Sequence, residues 1–63
     1  MDAHVRRLAH YLGDEALAEV LVMAGFALSK QVKAATDKDL LAVPGIGRAT
    51  LKQIREKLPH VAG

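Results

Sequence analysis

Gly45-Ile46-Gly47, followed at once by Arg48 and then by Thr50 and Lys52, is the group of residues whose types and spacing most clearly suggest chemistry. The chemistry is anion binding. Glycines let another molecule approach the backbone closely and reach conformations closed to other residues. A helix beginning at about Gly47 has no Ser, Thr, Asp or Asn at its N-cap, so its first N–H groups lack a side-chain acceptor. They carry the positive end of the helix dipole, an end that suits a phosphate oxygen. Arg48 sets a cation beside that seat, Thr50 adds a hydroxyl and Lys52 a second cation.

Other chemistries find less support. His4, His10 and His60 do not share metal-ligand spacing on one helical face, and the chain has no cysteine to complete a zinc site. Asp14 with Glu15, and Asp37 with Asp39, read as helix-start residues rather than acid/base pairs. Ser29 and Thr50 lack a neighbouring base that would make a nucleophile. Gly45-Ile46-Gly47 is too short for a dinucleotide fingerprint and follows no strand. No catalytic residue, metal site or cofactor is therefore expected, and the chain reads as a binding domain rather than an enzyme.

The elements that must position Gly45–Lys52 are helical. Ala, Leu, Lys, Glu and Arg dominate, and no run alternates as a strand does. Residues 2–12 carry Val5, Leu8, Ala9 and Leu12 on one stripe, and Gly13 ends that helix. Asp14 starts a very apolar helix over 14–24, expected to be the central one, and Gly25 caps it in the left-handed conformation with Phe26 turned back onto the core. Ser29 to about Ala35 reads as a short connector helix burying Val32. Thr36 and Asp39 form a capping-box-like start to the next helix, with Leu40 and Leu41 facing inward. Pro44 ends that helix near Ala42, and Val43 and Ile46 anchor a non-helical turn over 43–47.

The last helix runs from about Gly47 to Leu58, ahead of Pro59, with Leu51, Ile54 and Leu58 inward. At about 100° per residue, Arg48, Lys52 and Arg55 fall within about 60° of one another, a basic ridge leading away from the turn. Glu56 is spaced to pair weakly with Lys52. Leu17, Leu21, Leu41, Ile46, Leu51 and Ile54 are expected core positions. The fold class is all-α, five helices in one domain over 1–63.

With these residues in place, the chain resembles the helix-hairpin-helix DNA-binding family, whose hairpins set a hydrophobic residue ahead of Gly-hydrophobic-Gly, as Val43-Pro44-Gly45-Ile46-Gly47 does here. Five helices in this order resemble the doubled form of that domain, two hairpins joined by a connector helix. Residues 37–58 match the second hairpin. The first would join residues 2–12 and 14–24 at Leu12-Gly13-Asp14, where a single glycine and acidic neighbours depart from the family pattern; that junction is expected to serve structure.

Residues 36–58 also resemble the C-terminal domain of the bacterial RNA polymerase α subunit, through Leu40-Leu41-Ala42-Val43-Pro44 and the helix beginning Arg48-Ala49-Thr50-Leu51. That likeness implies DNA-gripping roles for Gly47, Arg48 and Thr50. Ala49 stands where a second basic residue is usual, and an arginine of the family's earlier helix has no counterpart here. The departure speaks against promoter-type specificity.

Composition sets the frame. Sixty-three residues make one small domain near the lower limit for a single core without staples. Only Tyr11 and Phe26 are aromatic, so the core must be aliphatic. Residues 1–28 hold two arginines against four carboxylates, whereas residues 29–63 hold seven cations against three. The basic half contains the turn, which points to an anionic partner there. No membrane-spanning stretch or signal-peptide pattern is present, so a cytoplasmic location is expected. The expected partner is DNA, double-stranded and bound without sequence preference, through Gly45, Ile46, Gly47, Arg48, Thr50 and Lys52. The alternative is a protein-interaction module of the same fold, using the apolar excess around Val22, Met23 and Phe26, alone or within a parent complex.

Overall fold

A computed structural model describes residues 2–61 and places five α-helices in them. Residues 1, 62 and 63 of the expected domain lie outside the described residues. Helix α1 spans Ala3–Leu12, and Asp2 caps it by accepting the His4 N–H at 2.8 Å. Val5, Leu8 and Leu12 are buried on one stripe. Gly13, at φ +69°, ends the helix and donates its N–H to the Ala9 carbonyl. Few side chains tolerate that left-handed backbone, which is why glycine stands there.

Helix α2, Glu15–Met23, buries Leu17, Ala18 and Leu21. Its end is a Schellman motif: the Gly25 N–H reaches the Val22 carbonyl at 3.0 Å and the Phe26 N–H the Leu21 carbonyl at 2.8 Å. Gly25 has the positive φ this motif needs, and Phe26 packs half-buried against the core. Helix α3, Ser29–Ala34, is shorter by one residue than expected. Ser29 is its first residue and not its cap; the Gln31 side chain reaches back instead to accept the Leu28 N–H at 3.0 Å. Helix α4, Asp37–Leu41, opens on the expected capping box, with Asp39 N–H donating to Thr36 Oγ1 and Thr36 N–H to Asp39 Oδ2. Helix α5 spans Arg48–Lys57.

Each helix gives the core one large, fully buried side chain: Leu8, Leu21, Val32, Leu40 and Ile54, joined by Leu58 just past α5. Two expectations about this core are corrected. Leu41 is exposed (39%), because α4 is barely more than one turn long and directs only Leu40 inward. Leu51 packs against the core but is half-buried, lying at the end of α5 nearest the turn. Nor is α2 the single hub: α1 makes the most extensive pairing with it and also touches α5, which in turn touches α4. No helix is long and apolar enough to cross a membrane, among the described residues.

Candidate nucleic-acid interface

The turn between α4 and α5 is built by Val43, Pro44, Gly45 and Ile46. Val43 N–H still bonds back to the Leu40 carbonyl, and the Ile46 N–H closes onto the Val43 carbonyl at 3.1 Å. Pro44 and Gly45 occupy the two central positions of that closure, with Gly45 at φ +94°, the arrangement of a type II turn. Gly45 is required for its backbone and not for space, since an added Cβ would meet Val20 Cγ1 at an ordinary 3.9 Å. Ile46 is buried (6%), so its side chain holds the turn to the core from beneath.

Gly47 is different. Its φ of −102° and ψ of −174° are extended values open to any residue, which corrects the expectation that both glycines serve special backbone angles. An added Cβ there would meet nothing within 4 Å. What Gly47 contributes is the absence of a side chain on an open approach to the start of α5.

That start is vacant in a way the other well-capped helices are not. Asp2, Asp14 and Thr36 each supply an oxygen to the N-terminus of α1, α2 and α4. Gly47 supplies none to α5. The first helical bond of α5 runs from Leu51 N–H to the Gly47 carbonyl at 2.8 Å. The N–H groups of Arg48, Ala49 and Thr50 accordingly have no protein acceptor among the described residues. Arg48 and Lys52 are exposed and Thr50 is half-buried beside them. Neither cation has an ion-pair partner among the described residues, and the spacing of Lys52 and Glu56 does not produce a pair.

The corner at Gly13-Asp14 shows the opposite arrangement. Asp14 Oδ1 accepts the Leu17 N–H at 3.0 Å, and Gln53 Nε2 of α5 donates to Oδ2 at 3.3 Å. The Leu17 N–H first, and Gln53 second, hold the Asp14 carboxyl below its ordinary range. The anion position at the start of α2 is thus filled from within. The bond from Gln53 links residues 39 positions apart and has no signature in local sequence.

The basic ridge is shorter than its spacing implies. Arg55 turns away from solvent and its guanidinium gathers the far ends of α3 and α5: Nη1 donates to the Val32 and Leu58 carbonyls at 3.0 and 3.2 Å, Nη2 to the Ala35 carbonyl at 2.6 Å, and Nε to Asp37 Oδ1 at 2.8 Å. These are orphan carbonyls of helix ends, met by a cation where the dipole favours one. The signal was available in part, because Arg55 lies in the last turn of α5, next to the buried stripe. His60 Nδ1 lies 2.9 Å from the same Ala35 carbonyl, and the Val61 N–H donates to the Lys33 carbonyl, so the segment after α5 lies against the end of α3.

Compared with family models, characterised proteins and solved structures, the chain matches none.

Proposed function

We propose that this domain binds duplex DNA through its phosphate backbone, without marked sequence preference, in the manner of the second hairpin of a doubled helix-hairpin-helix. One observation carries the reading: the uncapped N-terminus of α5 presents the Arg48, Ala49 and Thr50 N–H groups at a glycine with open space, flanked by unpaired Arg48 and Lys52. A phosphate oxygen satisfies these donors and the dipole together. The contact set is Gly45, Gly47, Arg48, Thr50 and Lys52, with Ile46 holding the turn in place. Contacts of this kind fix position on the duplex and read no bases directly.

With the start of α2 filled by Asp14, only one of the two helix corners offers its N–H groups to a duplex phosphate. Few phosphates are then neutralised. With about two or three engaged, log affinity falls against log salt with a slope of about −2 to −3, and dissociation constants lie roughly between 10⁻⁴ and 10⁻⁶ M. An amide NMR titration with a short duplex tests this. Perturbations centred on residues 44–52 support the reading; none at low salt refutes it.

A second reading has its own observation. Met23 is 82% exposed, and with Val20, Ala24, Val43 and Pro44 it lines an apolar hollow beside the turn. A protein partner seated there would move amides of α2 in place of those at the start of α5.

A further inference from the structure

The outer face of α1 carries charge and aromatic surface that neither the core nor the turn uses. At about 100° per residue, Ala3, Arg6, Arg7 and His10 fall within an arc of about 100° centred opposite Val5, Leu8 and Leu12. These four residues and Tyr11 line one shallow concavity, and all five are exposed. Neither arginine has an ion-pair partner among the described residues, and the first turn of α1 has no acidic residue. Tyr11 is 48% exposed, with the His10 ring set edge-on to it at a centroid distance of 6.1 Å and an interplanar angle of 69°. The domain thus places one of its two aromatic residues on the surface, beside two guanidinium groups that have no ion-pair partner among the described residues.

Two unpaired cations next to an exposed ring match the two parts of an unpaired nucleotide, its phosphate and the face of its base. In a duplex the base faces are stacked on one another and unavailable to a side chain. We propose that the outer face of α1 binds single-stranded nucleic acid, with phosphates on Arg6 and Arg7 and a base stacked on Tyr11. This surface is separate from the start of α5 and stands whether or not the turn holds a phosphate.

The composition supplies the probe. Tyr11 is the only tyrosine and there is no tryptophan, so intrinsic fluorescence reports on this face alone. A thymidine oligonucleotide of about ten residues, added to the full chain at low salt with correction for absorbance, is expected to quench Tyr11 saturably. The abasic oligonucleotide of equal length leaves it unquenched. Arg6→Ala/Arg7→Ala, with helicity checked by circular dichroism, weakens binding about tenfold or more and flattens the salt slope by about 1.4. Arg48→Ala/Lys52→Ala leaves the quenching intact, which separates this face from the turn. Absence of quenching, or equal quenching in Arg6→Ala/Arg7→Ala, overturns the proposal. So does a duplex that quenches as strongly as the single strand, or poly-glutamate that perturbs the α1 amides where the oligonucleotide does not.

Discussion

Arg55 Nε and Asp37 Oδ1 meet at 2.8 Å across 18 residues of sequence, with the arginine side chain 15% exposed and the carboxylate 61% exposed. The exposed partner makes the ion pair itself a minor contributor. What the pair does is aim the remaining guanidinium donors at the Val32, Ala35 and Leu58 carbonyls. Arg55→Ala leaves those part-buried acceptors unmet and is expected to cost about 1–3 kcal/mol in urea unfolding. Arg55→Lys recovers only part of this, because an ammonium cannot reproduce the planar fork. DNA affinity of the folded fraction is expected to be unchanged. An Arg55→Ala protein as stable as wild type but weaker on DNA would return Arg55 to the basic ridge.

The core makes a sharp contrast between two leucines. Leu21→Ala removes a fully buried side chain and is expected to cost about 2–5 kcal/mol, enough to unfold much of so small a domain. Leu41→Ala trims a side chain that is 39% exposed and is expected to cost about 1 kcal/mol or less. Thermal unfolding of the two variants checks both; equal losses would contradict the placement of α4.

Asp14 gives stability a pH dependence of known sign. Its carboxyl is held below the ordinary value in the folded state, so its contribution is complete above the ordinary carboxylate range and fades as pH falls through the folded pKa. The stability gap between wild type and Asp14→Ala is expected to be full at neutral pH and to close progressively in acid. Gln53→Ala removes the second cause of the lowering and shifts that closure to higher pH. A gap constant down to strongly acid pH would contradict the arrangement.

Much of this could be read from residue types alone. Gly13, Asp14, Gly25, Thr36 and Asp39 act within a turn of helix on their own neighbours, so their caps are local and legible. Gly45 and Ile46 are legible for the same reason. Arg55 and Gln53 are not, because their partners come from α3, the α3–α4 junction and the start of α2, and nothing in a spacing pattern says which cation will be drawn inward. Leu41 lies outward against expectation because helical periodicity over five residues leaves the inward direction poorly defined. The vacancy at Gly47 was legible as a missing cap; that its backbone is ordinary and its surroundings open required the structure.

The two turn glycines should also separate experimentally. Gly45→Ala forces a side chain onto φ +94° and is expected to cost about 1–2 kcal/mol of stability. Its remaining folded population loses only the Gly45 part of the proposed contact set and is expected to bind DNA more tightly than Arg48→Ala/Lys52→Ala. Combined urea unfolding and DNA titration check this, and a Gly45→Ala protein of wild-type stability would contradict the turn geometry.

Gly47→Ser tests most directly the proposal that the start of α5 seats a phosphate. Serine suits the extended N-cap backbone, meets no neighbour, and offers its own hydroxyl to the orphan N–H groups. The variant is expected to be as stable as wild type or more stable by a few tenths of a kcal/mol, yet to bind duplex DNA at low salt about tenfold more weakly, with a salt slope flatter by about one phosphate. It changes no charge, so lost binding cannot be assigned to repulsion. A folded Gly47→Ser protein that binds duplex DNA as tightly as wild type, with an unchanged slope, would contradict the account.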